Sequence, residues 1–217
     1  LSAYVPSKIK PKLRGVFHFI GFCTAAVSST ALIFSPQTGE KYVGGVIYAA
    51  TLVIMLGLSA LYHRPMWTYG ARRVLRRIDH SGIFFLIAGS YTAFWTLTPE
   101  ANRSSWQMIV MWACVAVGVV TFVFWTDMPR GLRAAVYVVL GLSTMPLVLE
   151  LPAVFGWGTT GLVMLSAVIY IGGAGVYARR WPNPDPKVLG YHEIFHGMVL
   201  IAAGIHFWII AGNHWAA

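Results

Sequence analysis

Three histidines and an aspartate stand at the ends of apolar segments, where ionisable groups are costly to place and mark a functional site. His63 closes one such segment, Asp79 opens the next, and His192 and His196 open the last in the chain. Imidazole and carboxylate together suit a divalent metal, zinc above all. His192 and His196 are four residues apart, so on a helix they share one face, about 6 Å apart along the axis. That is the spacing with which H-E-x-x-H helices hold zinc. In the run His192-Glu193-Ile194-Phe195-His196, Glu193 faces about 100° away from His192 and is poorly placed to share the metal. Ser59 precedes His63 by one helical turn, where its hydroxyl can orient a ligand or hold a water. Asp79 can ligate the metal, hold a bound water or take its proton. Three histidines plus a water make the open site of a catalytic zinc rather than the closed site of a structural one.

Each residue also has a plainer reading. A lone histidine at a membrane edge is more often a hydrogen-bonded interfacial residue, and Asp79 alone could cap a helix N-terminus. The remaining histidines read as bystanders. His18 is placed near the end of the first apolar segment as an interface residue, and His80 faces away from Asp79. His206 lies ten residues beyond His196, about 15 Å by helical rise and too far to share its metal. His214 is assigned to the C-terminal tail.

The elements that position these residues are membrane helices. Of 217 residues, 57% are hydrophobic and 11% charged, and the mean hydropathy is +0.65. A soluble domain carries about 25% charged residues, and no polar stretch here is long enough to hold a separate soluble core. The pattern predicts an all-α, polytopic bundle forming a single domain over 1–217. Its seven spans fall at 16–34, 43–62, 79–98, 105–125, 133–151, 157–178 and 192–212. Turn residues punctuate the connections, including Pro36, Pro99, Pro129 and the run Trp181-Pro182-Asn183-Pro184-Asp185-Pro186. Pro146 interrupts the fifth span. Trp95, Trp106, Trp125, Trp157 and Trp181 fall near span ends, as an interfacial aromatic belt requires. Gly172, Gly173 and Gly175 in the sixth span suit close helix packing. Met66 to Arg77 reads as a basic segment along the interface. Cys23 and Cys114 read as small core residues rather than a disulfide framework. The chain starts at Leu1, which points to a short missing stretch of natural N-terminus. The first span is followed by others and is read as a membrane helix, not a cleaved leader.

The net charge of +9 is spread over short loops, which excludes nucleic acid as its partner and points to lipid headgroups. Lys8, Lys10, Lys12 and Arg14 lie on one side with Arg64, Arg72, Arg73, Arg76 and Arg77. Arg130, Arg133, Arg179, Arg180 and Lys187 join them. Only Lys41 and Arg103 lie on the other, a division of 14 against 2 among the 16 basic residues. The positive-inside rule then puts the N-terminus in the cytoplasm, the C-terminus outside, and the four site residues together at the cytoplasmic boundary.

The run Ser59-Ala60-Leu61-Tyr62-His63 is followed by Arg77-Ile78-Asp79-His80-Ser81-Gly82-Ile83, and then by His192 to His196. With Ala203-Gly204-Ile205-His206-Phe207, these runs resemble the hemolysin III family, the bacterial branch of the progestin and adipoQ receptor group. That group includes the adiponectin receptors and is related to the alkaline ceramidases. The resemblance covers essentially the whole chain. It implies a seven-helix protein of the cell membrane with the N-terminus inside, and zinc held by His63, His192 and His196. It also implies that Asp79 holds or activates a water at the zinc, with Ser59 in support. In the receptor and ceramidase branches the site is associated with hydrolysis of lipid amides, and the bacterial branch is linked with membrane homeostasis.

Three functions compete. The first is a zinc-dependent hydrolase acting on a lipid amide or ester, with Asp79 as base and a membrane lipid as substrate. The second is a lipid- or ligand-responsive receptor whose zinc is structural. The third is a pore-forming cytolysin. It ranks last because the spans are too uniformly apolar to line a water-filled channel.

Overall fold

The computed structural model describes residues 10–125 and 127–215, so Lys8 lies outside it. The described residues are helical without any strand; an isolated bridge joins Asp185 and Leu189. In chain order the helices are α1 (Val16–Ser28), α2 (Thr30–Ile33), α3 (Gly39–His63), α4 (Tyr69–Leu97) and α5 (Ser105–Phe124). They continue with α6 (Arg130–Leu142), α7 (Met145–Val148), α8 (Leu151–Arg179) and α9 (Tyr191–Trp215).

Six segments are long and apolar enough to cross a bilayer: α1 with α2, α3, α5, α6 with α7, α8 and α9. The seventh, α4, is the longest with α8 at 29 residues, but its basic first turns and later hydroxyls make it less apolar. It tolerates them because it is the inner helix, with Phe84, Ala88, Ala93 and their neighbours buried against α3 and α5. Its hydroxyls are satisfied locally. Ser90 donates to Leu86 O at 2.9 Å and Thr92 to Ala88 O at 2.7 Å, so neither meets hydrocarbon unpaired. Small residues let α3 and α4 approach closely: a Cβ on Gly89 would lie 2.0 Å from the Thr51 hydroxyl.

Several expectations need correction. The basic stretch before Asp79 is not a separate interfacial segment from Tyr69 onward. It forms the first turns of α4, which Thr68 caps through the Ala71 N–H. The fifth span breaks in two. The Pro146 ring has no N–H and crowds the carbonyl four residues back, so α6 stops at Leu142. Ser143 and Thr144 then turn their hydroxyls onto Leu140 O and Gly141 O, each at 2.7 Å. Gly156, at φ 77° and ψ 167°, kinks α8 just before its long straight portion.

Cys23 and Cys114 are exposed on the bundle surface rather than in the core. A membrane helix is apolar on both faces, so hydropathy does not tell inside from outside. Gly172 and Gly173 do face α9, where Met198 packs against them, but nothing lies near Gly175. His214 is not in a tail. It closes α9, fully buried, its Nδ1 3.3 Å from Ser35 Oγ.

Candidate metal centre

α3 delivers His63 at its last residue, where helix carbonyls run out of partners. Two side chains satisfy that end: Lys10 Nζ donates to Arg64 O at 2.7 Å and Trp67 Nε1 to Leu61 O at 2.9 Å. Lys10 is itself held below the ordinary lysine range, first by burial and then by Arg72, Arg64 and Arg14. Just ahead of α1, Gly15 takes the left-handed conformation at φ 76°. A Cβ there would lie 2.6 Å from the Cβ of His63, so glycine allows the chain to pass against the histidine.

α9 delivers His192 and His196 from its first two turns. Its start is fixed by Glu193, whose carboxylate accepts from Gly190 N at 2.8 Å and pairs with Arg14. Asn183 Oδ1 accepts from Tyr191 N at 3.1 Å. Glu193 is 1% exposed and turned wholly to this task, away from the histidines as its helical angle requires.

The three histidines converge. One ring nitrogen from each of His63, His192 and His196 lies within 4.8 Å of the other two. His63 Nε2 and His192 Nε2 are 3.1 Å apart. Two nitrogens at 2.0–2.1 Å from one tetrahedral zinc stand roughly 3.3 Å from each other, so this pair already has the spacing of shared ligands. Asp79 Oδ2 is 3.8 Å from His63 Nε2. Asp79 sits ten residues into α4, so its carboxylate is no helix cap; it is buried and looks across at α3. Ser59 is buried one turn from His63 and lines the same cavity as Asp79. The donor set of three neutral-capable imidazoles with a nearby carboxylate fits a borderline-soft divalent ion such as zinc.

The sequence reading misplaced His18. It is not an interface residue but is 3% exposed inside the site. Its ring stacks on that of His196, and its Nδ1 lies 2.7 Å from Ser59 Oγ. The missed signal is its place in the first turn of α1, on the same boundary as the other three histidines. His80 points to a different neighbour: its Nε2 lies 3.4 Å from Arg133 Nη1, and its carbonyl accepts from Tyr137 OH at 2.7 Å.

A largely apolar cavity of about 210 Å³ begins at Ser59, Asp79, His192 and His196. It runs between α4, α6, α8 and α9 as far as Phe94, Ser166 and His206.

A family model described as haemolysin-III related matches residues 7–207. The chain belongs to that family. Among characterised relatives, it is 28% identical over 213 residues to the adiponectin receptor protein of Drosophila melanogaster, covering 90% of this chain and 47% of that one. It is 28% identical over 192 residues to progestin and adipoQ receptor-like protein 1 of Caenorhabditis elegans, covering 81% and 44%. With the hemolysin-3 homolog of Bacillus subtilis it shares 25% over 181 residues, 82% of each chain. The chain thus spans less than half the length of the two animal relatives. As a haemolysin-III related protein with these apolar helices, it is a multi-pass protein of the cell membrane.

Proposed function

We propose that this haemolysin-III related protein is a metal-dependent hydrolase that cleaves an amide or ester bond of a membrane lipid at the cytoplasmic leaflet. The observation that carries the reading is the meeting of two features. A three-histidine cluster with a buried carboxylate beside it opens onto one end of an apolar cavity. His63, His192 and His196 hold the ion, for which zinc is the preferred candidate by ligand type. Bound zinc supplies a Lewis acid and makes water acidic enough to be deprotonated near neutral pH.

The chain's own residues do the rest. Asp79, facing His63 from α4, accepts a proton of the attacking water and returns it to the leaving nitrogen or oxygen as the single bond between that atom and the carbonyl carbon breaks. Ser59, which lines the cavity beside Asp79, is positioned to steady that carboxylate and keep it turned toward the histidines. The cavity takes the acyl chain and excludes water from it. Leu142, Met164 and Ile171 line that cavity and are also exposed, which favours lipid entry between α6 and α8. The 14-to-2 division of basic residues supports placing this end of the bundle in the cytoplasm.

The test uses tag-free protein in nanodiscs. About one zinc per chain is expected, lost in His63→Ala and His196→Ala. Asp79→Asn is expected to keep the metal while release of fatty acid from a lipid amide falls at least about 100-fold. Turnover unchanged in Asp79→Asn, or a zinc-loaded wild type inert on lipid amides and esters alike, sinks the hydrolase.

A second reading is favoured by the Drosophila relative, which is named as a receptor. There the metal ties α9 to α3, the cavity holds a signalling lipid, and Asp79→Asn leaves both metal and ligand binding intact.

A further inference from the structure

At the end of the cavity remote from the metal centre stands a second polar pair that the hydrolase reading does not use. His206 follows His196 by ten residues on α9, about 15 Å along the helix axis. Its Nε2 lies 2.7 Å from Ser166 Oγ on α8. Ser166, with no exposed surface, also donates to Val163 O at 2.7 Å. A serine hydroxyl has one proton, and the carbonyl can only accept, so that proton goes to Val163. Ser166 Oγ must then accept from His206, which fixes the proton of the neutral ring on Nε2. Nδ1 is left as a bare acceptor. It is buried and has no hydrogen-bond partner among the described residues.

An unpaired buried acceptor among Phe94, Tyr170 and the apolar wall is costly and demands an explanation. Both His206 and Ser166 line the same cavity that begins at Asp79 and His196. A plain hydrocarbon chain would need no such pair at its tail end.

We propose that His206 and Ser166 form a recognition point for a hydrogen-bond donor carried on the ligand's chain. The ligand class is therefore a hydroxylated acyl chain, its hydroxyl placed well down the chain from the carbonyl or headgroup that meets Asp79. The proposal rests on the reading of the cavity as a lipid site, but not on hydrolysis.

Three fatty acids of one length serve as probes: unsubstituted, mid-chain hydroxy and mid-chain keto. Each is titrated against the protein in nanodiscs, because the keto chain has the same polarity at that point but no proton to give. The hydroxy acid is expected to bind about tenfold more tightly than the other two. His206→Phe keeps an aromatic ring at that place but removes the acceptor, and should bring the three chains to equal affinity. The preference should survive in His63→Ala, since the metal is remote. Equal binding of all three chains by the wild type overturns the proposal, while the lipid cavity stands. A hydroxy preference retained in His206→Phe overturns it as well. Failure of every chain to bind removes both the recognition point and the lipid cavity.

Discussion

The imidazole of His18 lies flat against that of His196, with ring centroids 3.8 Å apart and planes within 4°. The contact joins α1 to α9 at a prospective metal ligand, and the other edge of His18 holds Ser59. A ligand's ring is useful only when its nitrogen keeps its aim, and neighbours one contact away supply that restraint.

His18→Ala should therefore weaken zinc binding about tenfold while all three ligands remain, the low end of what supporting residues contribute. His18→Phe preserves the stack and loses the hydroxyl contact, so it should recover most of the affinity but leave Ser59 and Asp79 loosely held. Competition titration against a chromophoric chelator reads both variants. Wild-type affinity in His18→Ala would leave the stack with no part in holding the metal.

Gly15 provides a test of how the backbone places His63. Gly15→Ala adds a methyl 2.6 Å from the Cβ of His63 at a residue with φ 76°. Gly39→Ala makes the same change at φ 60° with no atom within 4 Å. Both carry the cost of a left-handed alanine, about 1 kcal/mol. Only the first also displaces a ligand. Thermal unfolding with and without zinc should show a small, metal-independent loss for Gly39→Ala. For Gly15→Ala it should show a larger loss, by about 1–3 kcal/mol, together with weaker stabilisation by zinc. Equal losses in the two variants would mean that His63 is not positioned by this contact.

The histidines of α3 and α9 were legible because each sits at a span end, and alternating topology brings those ends to one side of the membrane. Asp79 was legible by type but not by setting. Its helix begins ten residues earlier because Thr68, Tyr69 and the arginines form a good first turn, which hydropathy scores as loop. His18 was hidden because one histidine near a helix start has no periodic partner, and only the packing of α1 across α3 and α9 supplies one. His206 lies ten residues beyond His196, too far along the helix to share its metal. That distance holds, yet one cavity joins the two places, lined by Leu142, Thr144, Met145 and Leu147 where the fifth span breaks between α6 and α7. Hydropathy reports how apolar a segment is, while the path of a bent helix depends on what it packs against.

Orientation in the bilayer can be settled by labelling. In a background with Cys23 and Cys114 replaced by alanine, Arg180→Cys should react with a membrane-impermeant maleimide only after the cells are opened. Glu100→Cys should react in intact cells. The charge division predicts this pattern. The reverse pattern would put the histidine cluster on the outer face, and any lipid substrate with it.

Arg14, just ahead of α1, and Glu193, on the first turn of α9, are paired by charge. Glu193 is 1% exposed, accepts from Gly190 N and pairs with an arginine that is only partly covered. Removing the carboxylate leaves a helix start without its acceptor and an arginine facing the vacated space. Glu193→Ala should cost about 2–3 kcal/mol, less than for a fully buried pair because Arg14 can turn to water. Arg14→Ala strands the more deeply buried partner, so it should cost at least as much. If the pair acts mainly to hold α9 in register, the double variant should be less destabilised than the two single losses added together. Zinc affinity should fall in all three variants, because His192 is the residue next to Glu193 and moves with that first turn. Denaturant titration of the four proteins, with zinc competition on the same samples, separates the two effects. Additive losses with unchanged zinc affinity would mean that the two residues act independently, and would leave Asn183 and the packing of α9 against α8 to fix the ligand.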